Sequence, residues 1–156
     1  MNDSKNPKAY PALRLYTAVL DSLDEGVTIA TEDGVILYVN SADESTFGCL
    51  RAELIGKQIA SLMAHTPKED ARLLGKIKKK HSLGETWSGE IPCLRRDGTA
   101  FISRAKISTI QIDGVKYWVC LKEDVTDKKR LNRRQAITRA IDNFLVSSPS
   151  SDEIFP

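Results

Sequence analysis

Residues 86–126 read TWSGEIPCLRRDGTAFISRAKISTIQIDGVKYWVCLKEDVT. Three β-rich runs stand in this stretch, over 86–94, 100–110 and 115–122. They are separated by the turn signals Arg96-Asp97-Gly98-Thr99 and Asp113-Gly114. Asp-Gly pairs supply the left-handed backbone that a tight hairpin requires, so the runs are expected to form an antiparallel meander. Within Phe101-Ile102-Ser103-Arg104-Ala105-Lys106-Ile107 successive side chains point to opposite faces, and the charges of Arg104 and Lys106 belong in water. That parity turns Phe101, Ser103, Ala105 and Ile107 inward. Ser103 and Ala105 are small for a core strand. The room they leave must be filled by a ligand or by a bulky neighbour such as Trp118, Trp87 or Leu74.

Upstream, Thr66 and Glu69 have the spacing of a capping box, with Pro67 at the first helical position, and predict a helix to about Lys80. Its apolar face is Leu73, Leu74 and Ile77, and Gly75 in its middle costs about 1 kcal/mol relative to alanine. Lys76, Lys78, Lys79 and Lys80 crowd the C-terminal half, where cations suit the helix dipole. Short helical pieces broken by glycine are expected over 41–46, 51–55 and 59–63, the first capped by Asn40 or Ser41. Residues 27–30 and 35–39, joined by Glu32-Asp33-Gly34, read as a β-hairpin. Leu13, Tyr16, Leu20 and Leu23 recur at three- and four-residue steps, which predicts a flanking helix over 12–25 after a flexible N-terminus over 1–11. Downstream of a core over 26–126, residues 127–146 are again helical, with Ile137, Ala140, Ile141, Phe144 and Leu145 on one side. Residues 147–156 read as a linker to a further domain. Five strands with helices on one face make an α+β domain.

The 156 residues suffice for one domain with a core and are few for two. A formal net charge of +2 gives no reason to expect nucleic acid or an anionic membrane as a partner. The longest apolar runs, 35–39 and 117–121, fall far short of the roughly 20 residues that span a bilayer. The N-terminal MNDSKNPKAYP holds no apolar signal core, so a cytoplasmic location is expected. Cys49, Cys93 and Cys120 are widely spaced and form no CxxC pair, the usage of reduced, mostly buried thiols. His65 and His81 make no metal-ligand pair. There is no nucleophile beside a base motif and no Gly-rich phosphate loop, so the domain is not expected to be an enzyme.

This order of elements, with particular words in particular places, resembles the PAS family over residues 12–128. Val39-Asn40-Ser41-Ala42 is similar to that family's entry into its first short helix. Phe47-Gly48-Cys49-Leu50-Arg51-Ala52-Glu53-Leu54-Ile55-Gly56-Lys57 resembles its FGYSREELIGK segment, and Glu85-Thr86-Trp87-Ser88-Gly89-Glu90 its PWSGE. Arg95-Arg96-Asp97-Gly98 resembles its RKDG hairpin, and Glu123-Asp124-Val125-Thr126-Asp127-Lys128-Lys129 its DIT-ERK exit. The resemblance implies a PAS fold: a five-stranded antiparallel sheet curled around the short helices, with N- and C-terminal flanking helices. The space between sheet and helices is filled by side chains or by a small molecule. Matched to the family pattern, Trp118, Cys120 and Lys122 face inward, and Lys122 must reach solvent or a carboxylate near the strand end. Val119 and Leu121 then lie on the outer face, for the N-terminal helix to cover.

The ligand-lining positions so implied are Leu62, Leu74, Trp87, Ser103, Ala105, Ile107, Trp118 and Cys120. Asp124 and Thr126 would couple the sheet to the output helix, beside the plainer role of a helix cap. In the light-sensing flavin members a cysteine sits where this chain has Ile59, so no cysteinyl adduct can form there. His81 falls roughly where haem-binding members place their axial ligand. The lysines before it and Ser82-Leu83-Gly84 after it mark an exposed helix end instead. No cofactor and no metal are therefore expected, with haem at His81 or a non-covalent flavin as the alternatives. The function implied is that of a sensory input domain of a multidomain signalling protein, with a histidine kinase or a cyclic-dinucleotide enzyme downstream. A ligand-free dimerisation and relay domain is the alternative, and a haem or flavin redox sensor the third reading. The expected partners are a second copy in a parallel dimer through the terminal helices, the downstream output domain and a small-molecule ligand. Neither nucleic acid nor membrane is expected.

Overall fold

A computed structural model describes residues 9–147, and the chain divides after Asp124 into two units. The first unit runs α1 (Ala9–Asp21), β1 (Gly26–Thr31), β2 (Ile36–Val39), α2 (Ser41–Phe47), α3 (Arg51–Leu54), a single 3-10 turn (Ile59–Leu62), α4 (Pro67–Ser82), β3 (Trp87–Leu94), β4 (Ala100–Ile112) and β5 (Val115–Asp124). The strands form one five-stranded sheet in the order β2-β1-β5-β4-β3. Every neighbouring pair is antiparallel. This is the expected α+β architecture, and its local causes are the expected ones. Asp113 and Gly114 both take positive φ, 51° and 78°, which matches the twist of the strands that they join. Thr66 accepts from the Glu69 amide at 3.3 Å while the Glu69 carboxylate takes the Thr66 amide at 2.7 Å, closing the capping box of α4.

Two boundaries differ from the sequence reading. The first helix begins at Ala9 rather than at residue 12, because Pro11 falls in the first turn, where a missing N–H costs nothing. It ends at Asp21 rather than at residue 25, as the Ser22 hydroxyl bonds the Val19 carbonyl at 2.7 Å and the chain turns toward β1. Residues 1–8 of the expected flexible N-terminus and 148–156 of the expected linker lie outside the described residues.

The core lies on the inner face of the sheet. Phe101, Ala105, Ile107, Trp118 and Cys120 from β4 and β5 pack with Phe47, Leu54, Ile59, Met63 and Ile77 from the helical side. Strand parity is as read for β4: Phe101, Ser103, Ala105 and Ile107 are buried while Arg104 and Lys106 are exposed. Residues 56–64 close that face by touching both edges of the sheet. Gly56 donates to the Ile36 carbonyl at 2.8 Å on the β2 edge, and Ala64 donates to the Pro92 carbonyl at 2.8 Å on the β3 edge. Both edges thereby gain partners for backbone groups that would otherwise stand open.

The outer face is only partly covered. Val119 and Leu121 keep some surface open, and α1 leaves Leu13, Leu15, Tyr16 and Val19 each more than half exposed. The N-terminal helix thus does not complete the covering expected of it within one chain. The second unit contains α5 (Thr126–Ser147), whose described residues from Asp127 onward are all exposed, its apolar stripe included. Among the described residues no helix is long and apolar enough to cross a membrane.

Candidate functional site

The inner face carries a buried ion pair. Asn40 caps α2, its side-chain oxygen accepting from the Asp43 amide at 3.1 Å and from the Val27 amide at 2.8 Å. Its amide nitrogen donates to the carbonyls of Leu20 at 2.8 Å and Glu25 at 2.9 Å. A single fully buried side chain therefore uses all its donors and two acceptor sites to fix the end of α1, the start of β1 and the start of α2. With α2 so placed, Asp43 points into the core, where it accepts from the Thr28 hydroxyl. The Lys122 ammonium lies 2.8 Å from the Asp43 carboxylate and donates to Thr28 Oγ1 at 2.7 Å. It also stands 4.8 Å above the Phe47 ring. Side-chain exposure is 11% for Lys122 and 2% for Asp43, so each charge depends on the other.

Gly26 makes this approach geometrically feasible. It faces Lys122 across the β1–β5 ladder, and a Cβ there would lie 2.1 Å from Asp43 Oδ1. The lysine that is awkward on an inward position thus finds its carboxylate on α2 rather than near the end of its own strand. Sequence reading missed Asp43, Thr28 and Gly26 in this role. The available signal was Lys122 itself, since an inward cation in a core strand demands a buried anion.

Beside this pair lies a small apolar cavity of about 30 Å³, walled by Phe47, Leu62, Cys93, Ser103, Ala105, Ile107, Cys120 and Lys122, among others. Room of that size suits one or two waters. Of the positions expected to line a ligand site, Leu62, Ser103, Ala105, Ile107 and Cys120 meet there. Trp118 is buried further along the sheet, edge-on to the His81 ring at 5.4 Å. Leu74 and Trp87 are partly buried against the core and do not line this cavity. Burial pushes the thiols of Cys93 and Cys120 up to about 11, so both stay protonated at neutral pH.

A second ionic link joins the end of β5 to the same helix. Asp124, the last residue of that strand, accepts from Arg95 at 2.6 Å. Arg95 also donates to the Thr46 carbonyl of α2 at 2.6 Å and stacks over the Phe101 ring at 4.3 Å. The closing residues of β5 therefore reach α2 twice, through Lys122 and Asp43 and through Asp124 and Arg95. Thr126 is the first residue of α5. His81 corrects an expectation: it is not an exposed helix end. Its Nε2 bonds the Ile107 carbonyl at 3.1 Å and its ring is partly buried, because the last turn of α4 lies over β4. Among the described residues no group of three or more His, Cys, Asp or Glu side chains could hold a metal ion.

Comparison with known proteins places this geometry. A family model described as a PAS domain matches residues 24–127. The mouse high affinity cAMP-specific and IBMX-insensitive 3',5'-cyclic phosphodiesterase 8A is 32% identical over 102 residues, covering 65% of this chain and 12% of that protein. The hybrid signal transduction histidine kinase L of Dictyostelium discoideum is 30% identical over 123 residues, 76% of this chain and 7% of that protein. The chain thus spans only a small fraction of these relatives. Among solved structures, the PAS domain of an HTR-like protein from Haloarcula marismortui superposes with a TM-score of 0.66 at 16% identity, over 79% of this chain and 99% of that one. A PAS domain from Colwellia psychrerythraea gives 0.66 at 19% identity, over 74% of this chain and 98% of the other.

Proposed function

The chain belongs to the PAS domain family, and from that premise we infer that it is a non-catalytic signal-input domain whose output leaves through β5 and the helix that follows. The observation that carries this reading is the double tether of the β5 end to α2. A change in packing on the inner face must move Lys122, Asp43 or both, and so reaches the strand that runs directly into Thr126. Two packings of the sheet against α2 would then be read out as two positions of the exit residues. The relatives, a phosphodiesterase and a histidine kinase, support an enzymatic output, and we place the domain ahead of that output in a cytoplasmic signalling protein. The terminal helices expose apolar side chains, and a second copy is the partner that we assign to them.

The cavity beside Lys122 favours the relay form of this reading over a core-bound ligand. Its volume of about 30 Å³ is far below the roughly 300 Å³ at which small-molecule sites begin. The same comparison speaks for a core without flavin, and the Ile107 carbonyl that engages His81 Nε2 speaks for a domain without haem. Hydrogen exchange of the Arg95→Ala variant tests the tether. Exchange is expected to rise at the β5 end and in α2 together. A rise limited to the β3–β4 turn would mean that the two elements are not coupled through Arg95.

A further inference from the structure

The β3 edge of the sheet is paired over only part of its length. Ala64 donates to the Pro92 carbonyl from outside the sheet, so Pro92 turns its backbone away from β4. Backbone direction alternates along an antiparallel strand. Ser88 therefore points outward as well, while Trp87, Gly89 and Ile91 bond their β4 partners Ile107, Ala105 and Ser103. Ser88 is exposed, and its outward N–H and carbonyl have no backbone partner among the described residues. The covering segment reaches only the far half of the strand, where Met63 meets Cys93 and Ala64 meets Pro92. An edge with open backbone groups is a template for a further strand.

Beside this open stretch runs a groove of about 440 Å³ between the C-terminal half of α4 and the start of β3. It is lined by Lys76, Lys79, Lys80, Leu83, Glu85 and Trp87. The three lysines and Leu83, the C-cap of α4, follow the spacing that keeps side chains on one side of a helix. Leu83 is 65% exposed. Trp87 forms the opposite wall. A Cβ on Gly89 would fall 2.6 Å from the Trp87 ring, so the glycine lets the indole lie down over the strand. Glu85 neutralises Lys80 at 2.7 Å. Lys76 and Lys79 form no ion pair with another described residue. Apolar walls, unneutralised cations and an open strand edge thus border one solvent-accessible groove.

We propose that this edge accepts an acidic, extended segment of a partner protein as a sixth strand. The backbone of the segment exchanges hydrogen bonds with Ser88. On the side turned to α4, its carboxylates meet Lys76 and Lys79 and its aliphatic groups pack on Leu83 and Trp87. Charge decides the occupant. A second copy paired through the same edge would bring lysines toward lysines, and a basic strand would do the same. The surface is separate from the cavity at Lys122 and does not rest on the exit-strand reading. Its binding is measured without reference to any output.

The test is a ¹H–¹⁵N NMR titration of the 156-residue chain with a peptide of two Asp-Thr-Val-Thr repeats, acetylated and amidated at its ends. In extended form this peptide sets aspartate and valine alternately on one face. Added to about 1 mM, the weak end of binding, it is expected to shift the amides of positions 76–83 and 85–90 together, that of Ser88 included. The same peptide with lysine for aspartate should bind at least about tenfold more weakly, equivalent to roughly 1.4 kcal/mol. So should the fully N-methylated peptide, which keeps the carboxylates but offers no N–H. Lys79→Glu, at an exposed position, is expected to weaken binding by about the same factor. Ser88→Pro removes only an outward N–H, a change that edge strands tolerate, and is also expected to weaken binding while the amides of β1 and β2 stay in place. The proposal is overturned if the acidic peptide leaves positions 76–90 unmoved, or if both variants bind it as tightly as the unaltered chain. It is equally overturned if the lysine peptide or the N-methylated peptide binds as well, because strand addition or its charge preference would then be absent.

Discussion

At one end of the inner sheet face Asp43, Lys122 and Thr28 satisfy one another in a space that Gly26 leaves clear. At the other end His81 Nδ1 and Thr109 Oγ1 stand buried without hydrogen-bond partners among the described residues, beneath a cleft of about 320 Å³ lined by Glu32, Asp33, Lys78 and Lys116, among others. The strands that build the two ends are the same, so the difference comes from what lies over them. Over the closed end sits α2, fixed by the four hydrogen bonds of Asn40. Over the open end lie the last turn of α4 and the turn between β1 and β2, with the cleft between them. A fully paired end suits transmission, because moving any member exposes another to a low-dielectric interior.

The sharpest way to break this contrast is to open the closed end. Asp43→Ala leaves Lys122 buried without its anion and is expected to destabilise the domain by about 3–5 kcal/mol, read as a lower urea midpoint. An unchanged midpoint would mean that the ammonium reaches water freely and that the end is not closed at all. Gly26→Ala tests the same closure sterically. The added methyl would lie 2.1 Å from Asp43 Oδ1, and the displacement is expected to cost about 1–3 kcal/mol.

Thiol reactivity sharpens the comparison further, since Cys93 and Cys120 line the closed end. With both thiols pushed up to about 11 from an ordinary value of 9.0, the thiolate fraction at pH 8 falls about 100-fold. Iodoacetamide at pH 8 should therefore label these two cysteines far more slowly in the native protein than in the urea-unfolded chain. Equal rates would place the cavity in contact with solvent. The smallest effect is expected at the open end. Thr109→Val removes a buried hydroxyl that has no partner among the described residues, so stability should rise by about 1 kcal/mol, the low end of the cost of leaving such a group unpaired. A loss comparable to that of Asp43→Ala would show that Thr109 is bonded after all.

How much of this was legible in the sequence follows from how local each cause is. The Asp113-Gly114 turn and the Thr66–Glu69 box are decided within a few residues, and both folded as read. So did the inward parity of β4, which two charges fix. The Asp43–Lys122 pair joins residues on separate elements through the packing of α2 on β1 and β5. Nothing in Ser41-Ala42-Asp43-Glu44 says which of its two acids turns inward. The presence of an inward lysine posed the question, and only the tertiary arrangement answered it. His81 failed differently. Its neighbours in sequence describe an exposed helix end, and the Ile107 carbonyl and Trp118 that draw it inward are 26 and 37 residues away. The start of α1 was placed late because its apolar repeat begins only at Leu13, whereas Pro11 is tolerated in the first turn of a helix.

The most direct test of the central claim, that the exit strand is tied to α2 through Lys122 and Asp43, is a double-mutant cycle. Asp43→Asn and Lys122→Met are compared singly and together by urea unfolding. Strong coupling is expected: each single change destabilises, the second change made on top of the first costs much less, and the interaction energy falls in the range of about 1–3 kcal/mol. Additivity within about 0.3–0.5 kcal/mol would contradict it, because the two charges would then be stabilised independently and β5 would carry no link to α2 at Lys122.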